Sequence, residues 1–305
     1  MRIPSDGRMT MPSAEHEQMV AALTAGGALT APTLAEQRVS MEALMTAFPL
    51  AVDVQVEETS ADGVAADWVT VPGSRHDRVV LYLHGGGYVL GSRKSHRELA
   101  ARIARDAAAR VLVIEYRLAP EHPYPAAVED AVASYRWLLA QGLAADRIAV
   151  AGDSAGGGLT VATLVALNEQ RLAQPACAVV MSPWIDLAGT GTSAQPGGAD
   201  DPLLTLEGLR NMGQVYAGAR CQEPLASPLY ADLQHLPPLL IQVGTREVLL
   251  DDALRLASRA KLAGVMVDLQ VEEGLIHVWQ AFGPNLPEAV SAVRQIGQFI
   301  LRWIA

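Results

Sequence analysis

The stretch Arg147-Ile148-Ala149-Val150-Ala151-Gly152-Asp153-Ser154-Ala155-Gly156 decides the fold of this chain. An apolar run ends in the pattern G-x-S-x-G, and a segment compatible with a helix follows from Ala155 to about Arg171. A strand that turns directly into a helix in this way predicts an exposed Ser154 hydroxyl above the N-terminus of the helix. The glycines on either side of the serine leave room for the sharp turn. The pattern alone is common, so its meaning depends on what accompanies it.

A second glycine motif, His84-Gly85-Gly86-Gly87-Tyr88, follows the apolar run at 79–83. Three consecutive glycines are costly in backbone entropy, so they are expected where backbone N–H groups must point at a ligand. In an α/β-hydrolase such a loop supplies part of the oxyanion hole, together with the amide after the nucleophile. The alternative is a glycine-rich turn without a function. The presence of both motifs in one chain favours the oxyanion hole.

The two motifs resemble those of the bacterial hormone-sensitive-lipase-like esterases, the family IV carboxylesterases with HGGG and GDSAG motifs. Further matches are found at residues 116–127, at Ser182-Pro183-Trp184, at Ser227-Pro228-Leu229 and at Ile276-His277. The resemblance extends from about residue 50 to the C-terminus. It implies an α/β-hydrolase fold, with a mostly parallel central sheet of about eight strands flanked by helices and a helical cap. It also implies a serine carboxylesterase for short-chain acyl esters that uses no metal or organic cofactor.

Composition limits the class of protein further. Half of the 305 residues are hydrophobic, and the net charge of -10 is dispersed along the chain, which disfavours nucleic acid as a partner. Cys177 and Cys221 have no metal or redox spacing, and Cys177 is predicted to be a small core residue. No apolar run approaches the roughly eighteen residues of a membrane helix, and residues 1–30 lack a signal-peptide core. We expect a soluble cytoplasmic protein without membrane insertion, acting on a small-molecule ester.

Two regions with different patterns divide the chain. Residues 1–50 predict an N-terminal helical cap with two amphipathic helices, at 14–24 and from the capping box Thr33-Leu34-Ala35-Glu36 to about residue 48. Residues 51–305 predict the catalytic domain. It opens with an antiparallel hairpin of strands 52–56 and 64–71 around a turn at 60–63, expected at a sheet edge. From residue 78 onward, continuous apolar strands alternate with helices, which indicates a mostly parallel sheet covered on both faces.

An insertion at 184–225 interrupts this alternation, and in the family the insertion and the N-terminal helices together form a lid. Its stretch 189–201 is rich in Gly, Thr, Ser and Pro and predicts a surface loop. Several flexible apolar residues of the first helices suit an adaptable acyl pocket: Met9, Met11, Met19, Met41, Met45 and Phe48. The alternative is that these residues only anchor the helices to the body.

The serine needs a hydrogen-bonded base, since its hydroxyl is a weak nucleophile at neutral pH. The chain order in this fold is serine, acid, histidine, which leaves only His235 and His277 among the seven histidines. His235 precedes every plausible acid, whereas His277 follows the last predicted strand across a loop. We therefore predict that His277 is the base. His84 is predicted to shape the glycine loop.

The acid is expected just after the strand at 239–243, where Glu247, Asp251 and Asp252 are available. Most of the family has Asp-Pro-Leu at this place, and this chain has Glu247-Val248-Leu249, so the resemblance assigns the acid to Glu247. Asp251 and Asp252 fit the first turn of the following helix, where carboxylates are favoured. Two other carboxylates are predicted to be structural: Asp153 braces the turn at Ser154, and Glu121 pairs with Arg117.

The resemblance leaves two other functions open. One is an amidase or deacetylase that uses the same triad, and the other is a catalytically inactive hydrolase that serves as a small-molecule receptor. Loss of the base distinguishes such receptors, and this chain keeps His277.

The strand at 265–271 has few charges to protect a sheet edge and predicts a homodimer. The alternative is a monomer in which the C-terminal helix, at about 287–304, covers that edge.

Overall fold

The computed structural model describes residues 11–26 and 32–304, in which helices alternate with the strands of one sheet. The helices are α1 (Ala14–Gly26), α2 (Leu34–Thr46), α3 (Arg97–Ala107), α4 (Ala126–Ala140), α5 (Ala155–Glu169), α6 (Leu206–Ala217), α7 (Leu250–Leu262) and α8 (Pro287–Trp303). The strands are β1 (Gln55–Ala61), β2 (Val64–Thr70), β3 (Arg75–Leu83), β4 (Ala109–Ile114), β5 (Ile148–Asp153), β6 (Cys177–Met181), β7 (Leu239–Gly244) and β8 (Val267–Glu272). No helix of these described ranges is long and apolar enough to cross a membrane.

The eight strands form one sheet in the order β1-β2-β4-β3-β5-β6-β7-β8. The pairs β1–β2 and β2–β4 are antiparallel, and the pairs from β4 to β8 are parallel. This mostly parallel sheet, with helices on its faces, confirms the predicted α/β-hydrolase fold. The parallel strands all end at the same edge of the sheet, so the loops that follow β3, β5, β7 and β8 meet there.

The N-terminal hairpin lies at the edge of the sheet as predicted, but its bounds differ from the prediction. The turn contains only Asp62 and Gly63, both with positive φ, of 53° and 89°. A two-residue turn of this kind fixes the register of the two strands. Pairing runs from Ala61 opposite Val64 to Gln55 opposite Thr70. The predicted strand at 52–56 was therefore placed too early, because its ends depend on its partner strand and not on its own apolar pattern.

Successive side chains of the central strands pack in two different hydrophobic clusters, one on each face of the sheet. In β3, Leu81 packs in a cluster with α4 and α5, whereas Val80 packs in a cluster with α3 and α8. All residues of β5 and β6 are buried, as expected for strands covered on both faces. Cys177 belongs to the cluster of Val80 and is fully buried, which confirms its prediction as a core residue. The site at the sheet edge is thus held by a rigid, closely packed body.

Candidate active site

Ser154 stands at a strained turn between β5 and α5. Its φ of 52° and ψ of -121° lie in a region that non-glycine residues rarely adopt, at a cost of roughly 1–3 kcal/mol. Two backbone hydrogen bonds hold it there: its N–H donates to Met181 O at 2.8 Å, and its C=O accepts from Trp184 N at 2.9 Å. Only 9% of Ser154 is exposed. The expected exposed hydroxyl therefore faces a covered cavity and not open solvent.

Three predicted site residues form a continuous hydrogen-bonded chain. His277 Nε2 lies 2.9 Å from Ser154 Oγ, and His277 Nδ1 lies 3.0 Å from Glu247 Oε2. His277 follows β8 and Glu247 follows β7, so the common edge of the sheet brings both to Ser154. Asp251 and Asp252 lie in the first turn of α7, as predicted, outside this chain. The arrangement can transfer a proton from the serine to the histidine.

The pKa values of the buried pair follow from burial and contact. Burial disfavours the charged imidazolium of His277, but the hydrogen bond and negative charge of Glu247 outweigh it, so the pKa of His277 is raised. Burial raises the pKa of Glu247, whereas three hydrogen bonds to its oxygens favour the carboxylate. The donors are His277 Nδ1, Gly244 N at 2.6 Å and Ser182 Oγ at 2.8 Å. A carboxylate with this many donors is suited to orienting an imidazole and stabilising its protonated form.

Ser182 is a site residue that the sequence reasoning missed. Its hydroxyl donates to Glu247 Oε1 and accepts from Val278 N at 3.0 Å, so it joins Glu247 to the backbone beside His277. Ser182 is fully buried, immediately after β6. The segment Ser182-Pro183-Trp184 matches the family pattern, but that match assigns no role to its serine. Nothing in the local pattern names partners 65 and 96 residues away.

The glycine loop after β3 lies against the turn of Ser154. A Cβ atom at Gly85 would stand 2.1 Å from Asp153 Oδ2, and Gly86 has a φ of 119°, so neither position accommodates a side chain. Within the described residues, the N–H groups of Gly86 and Gly87 donate to no protein acceptor. Both glycines line the cavity beside Ser154, and Ala155 opens α5. These amides are therefore available to a ligand.

Asp153 and His84 support this loop. Asp153 Oδ1 accepts from Gly85 N at 3.0 Å and from Tyr82 Oη at 2.7 Å, which couples the glycine loop to the turn of Ser154. The His84 ring stacks on Tyr116 at 4.1 Å, and its Nδ1 lies 2.8 Å from Gly85 O. Burial lowers the pKa of His84 to about 3, so this ring is neutral. These contacts agree with the structural roles predicted for both residues.

A small apolar cavity opens above Ser154 and His277, with a water-accessible volume of about 90 Å³. Its apolar walls come from α2 and the insertion at 184–225, as well as from the body: Met41, Leu44, Met45, Leu90, Trp184, Leu203, Leu204, Leu209, Met212, Val278, Ala281 and Phe282. The methionine prediction holds in part. Met19 and Phe48 pack instead against a buried cluster that contains Trp279 and Leu286. Met11 is exposed, and Met9 lies outside the described residues.

The predicted pairing of Arg117 with Glu121 is wrong. Arg117 binds Asp130 at 2.8 Å, and Glu121 binds Arg38 of α2 at 2.7 Å. Arg38 also donates to Val89 O at 2.8 Å and to Ala119 O at 3.0 Å. This arginine therefore anchors α2 to the residue after the glycine motif and to the loop after β4. The ion-pair partner of Glu121 lies on a helix far away in sequence, so local spacing does not reveal it.

The stretch 189–201, predicted as a surface loop, is partly buried. It contains a helical turn at Thr192–Ala194, in which Ser193 and Ala194 are 8% and 9% exposed. Ser193 Oγ donates to Val248 O at 2.7 Å, so the stretch packs on the loop that follows Glu247.

In the part of the chain that the structure describes, no group of three or more His, Cys, Asp or Glu residues is arranged to hold a metal ion.

Comparisons with known proteins agree with this architecture. A family model described as the alpha/beta hydrolase fold matches residues 80–281. An acetyl-hydrolase of Streptomyces hygroscopicus is 49% identical over 77% of this chain and 79% of its own length. An esterase of Acinetobacter venetianus is 34% identical over 85% of this chain and 86% of its own length. A crystal structure of an esterase from the bacterial hormone-sensitive lipase family, 48% identical, covers 97% of this chain and 100% of that one with a TM-score of 0.94. The chain therefore belongs to the bacterial hormone-sensitive-lipase-like esterases, which are carboxylic ester hydrolases of the α/β-hydrolase fold.

Proposed function

We propose that this ester hydrolase works through an acyl-enzyme intermediate on Ser154, with His277 as general base and Glu247 as its orienting acid. The observation that carries the proposal is the hydrogen-bonded chain from Ser154 Oγ through both ring nitrogens of His277 to Glu247 Oε2, with contacts of 2.9 and 3.0 Å. Nucleophile, base and acid within hydrogen-bond reach are the signature of covalent acyl transfer.

The reaction has two halves. Ser154 Oγ attacks the ester carbonyl carbon while its proton moves to His277 Nε2, and Glu247 stabilises the imidazolium. Collapse of the tetrahedral intermediate breaks the bond to the alcohol oxygen, which takes the proton from His277. Water then attacks the acyl-enzyme by the same route, its proton moves to His277, and the released Ser154 oxygen takes it back. The carboxylic acid leaves and the enzyme is restored.

The oxyanion of both intermediates is assigned to the backbone N–H groups of Gly86, Gly87 and Ala155. The two glycine amides have no protein acceptor in the described residues, both glycines line the cavity, and the Ala155 amide is at the positive end of the α5 dipole. Gly85 shapes the loop through its contact with Asp153. Donors fixed before the reaction stabilise the developing charge without reorganisation.

The described parts of the predicted N-terminal cap, at 11–26 and 32–50, and the insertion at 184–225 are proposed to enclose the acyl group. Residues 1–10 and 27–31 of that predicted cap lie outside the described residues. Support comes from the cavity walls, since Met41 and Met45 of α2 and Leu209 and Met212 of α6 all line the cavity above Ser154. The water-accessible volume of about 90 Å³ favours short acyl chains, of about four to six carbons. The acetyl-hydrolase among the relatives points in the same direction.

An amidase or deacetylase with the same triad is the alternative reaction. The geometry does not distinguish an ester from an amide, because the same residues attack both carbonyls. A series of nitrophenyl esters measured beside an acetanilide separates the two. Turnover of the anilide at a rate comparable with the best ester would favour the amidase.

A homodimer through the edge strand β8 is proposed as the assembly. All six residues of β8 are partly exposed, Met266 beside it is 58% exposed, and β8 is the last strand of the sheet. The helix α8 packs on α3 and on the strands β6 and β7, and it makes fewer contacts with β8. An edge of this kind invites pairing with a second chain.

The decisive test of the mechanism is Ser154→Ala. We expect kcat on nitrophenyl butyrate to fall roughly a thousandfold or more, because the triad acts as a unit. Circular dichroism must show an intact fold, and intact-mass spectrometry after exposure to an organophosphonate must show labelling of the parent only. Activity above a few per cent in the folded variant would assign the nucleophile elsewhere.

A further inference from the structure

We propose that Asp201 is a positioning residue of the active site, which joins the apolar wall of the cavity to the loop that carries Glu247. This inference rests on the proposed roles of Ser154, His277 and Glu247. It concerns a side chain in the stretch that the sequence assigned to a surface loop. Asp201 is half-buried, and Leu203 and Leu204, two and three residues further along the chain, line the cavity.

The carboxylate of Asp201 uses its two oxygens on two different segments. Oδ1 accepts from Leu203 N at 2.9 Å and from Leu204 N at 3.1 Å. Oδ2 accepts from Val248 N at 3.1 Å, on the residue directly after Glu247. Leu203 and Leu204 line the cavity above Ser154. One side chain therefore holds both a wall of the acyl cavity and the loop of the triad acid.

A second contact strengthens the same junction. Ser193 Oγ donates to Val248 O at 2.7 Å and accepts from Asp251 N at 3.0 Å. Asp251 Oδ2 in turn accepts from Thr192 N at 2.6 Å and from Ser193 N at 3.0 Å. The insertion segment at 192–204 and the loop at 247–251 are thus connected at several points. A change at Asp201 is expected to affect both segments together.

The charge of Asp201 also acts on His277. Burial disfavours the imidazolium, and among the described residues Glu247, Asp201 and Asp153 are charged groups that favour it. Glu247 acts through a direct hydrogen bond, whereas Asp201 acts through its field. Removal of the Asp201 charge therefore lowers the pKa of His277. Neutral imidazole, the form that accepts the serine proton, then persists to lower pH.

The neighbouring residue Asp200 provides a matched control. Its side chain is 95% exposed, and its ion pair with Arg246 Nη2 at 3.3 Å lies on the surface. Asp200→Asn changes the net charge of the protein by the same amount as Asp201→Asn. It leaves the bonds of Asp201 to Leu203, Leu204 and Val248 in place, and Asp200 is not among the charged groups named above that raise the pKa of His277.

The experiment compares Asp201→Asn, Asp201→Glu and Asp200→Asn with the parent. kcat/KM on nitrophenyl butyrate is measured across pH, and the concentration of active sites is titrated with an organophosphonate. In Asp201→Asn we expect the low-pH decline of kcat/KM to move to lower pH, while Asp200→Asn keeps the parental profile. Asp201→Glu retains the charge, so its decline stays near that of the parent.

The second readout is the acyl-chain profile on butyrate and octanoate esters. Both substitutions at Asp201 disturb the bonds to Leu203 and Leu204, so we expect the preference for butyrate over octanoate to fall roughly threefold or more. Asp201→Glu preserves the charge. It therefore tests the effect of the bonds to Leu203 and Leu204 on acyl-chain preference even where the asparagine variant folds poorly. If both Asp201 variants match Asp200→Asn in both readouts while the parent is active, the inference is overturned. An inactive parent, or an active Ser154→Ala, would instead overturn the proposed function.

Discussion

Ser182→Ala offers a sharp test of how Glu247, the proposed acid of the triad, is held. The substitution removes two hydrogen bonds from a fully buried position: the one donated to Glu247 Oε1 at 2.8 Å and the one accepted from Val278 N at 3.0 Å. Both segments that carry the base and the acid lose a common contact. The Gly244 amide, at 2.6 Å from the same oxygen, still holds Glu247.

The magnitude follows from the chemistry of the two lost bonds. A hydrogen bond to a charged group contributes roughly 1.5–3 kcal/mol, and a buried unpaired amide costs roughly 1–3 kcal/mol. Since Gly244 limits the loss at the carboxylate, we expect the free energy of unfolding to fall by about 3 kcal/mol. We expect the transition state to lose about 2 kcal/mol, which corresponds to a fall in kcat/KM of roughly thirtyfold.

The control is Ser227→Ala, which likewise removes one donated and one accepted hydrogen bond from a buried serine, here with a neutral carbonyl as the acceptor in place of a carboxylate. Ser227 is also fully buried, donates to Cys221 O at 2.6 Å and accepts from Leu187 N at 2.8 Å. Its loss should lower the stability of the fold to a similar extent while kcat/KM stays within about threefold of the parent. Stability is measured by urea unfolding and activity with nitrophenyl butyrate. If Ser182→Ala and Ser227→Ala lower activity equally, Ser182 only stabilises the fold and the positioning argument fails.

Four other outcomes follow from the site and the sheet edge. Glu247→Gln should lower kcat roughly a thousandfold, far more than Asp251→Asn, and a folded Asp251→Asn enzyme without turnover would reverse the assignment of the acid. Because the pKa of His277 is raised above 6.5, kcat/KM should fall as pH drops through a midpoint above 6.5; a midpoint below that value contradicts the coupling to Glu247. Rates on nitrophenyl esters should be greatest at acyl chains of about four to six carbons, and a maximum at about twelve or more would contradict an enclosed cavity. Light scattering at micromolar concentration should give the mass of two chains if β8 pairs, and the mass of one chain excludes this dimer.

Local patterns were sufficient for the elements whose geometry is set by a few adjacent residues. The turn at Ser154 follows from an apolar strand, the pattern G-x-S-x-G and a helix-forming run. The loop at Gly85 follows from three consecutive glycines. The capping box at Thr33 formed as predicted because both of its hydrogen bonds lie within four residues. The predicted triad residues were identified by chain order and resemblance, since each follows the end of a strand.

Contacts between distant segments required the tertiary structure. Ser182 reaches Glu247 across 65 positions, and Asp201 reaches Val248 across 47 positions, so no local spacing could reveal either. The same holds for Arg38, which forms the ion pair with Glu121 that was predicted for Arg117. Sequence alone determined the α/β alternation, the turn at Ser154 and the glycine loop, because neighbouring residues dictate backbone conformation. Only the folded sheet decided which side chains surround them, because the convergence of strand ends places groups together that the chain keeps far apart.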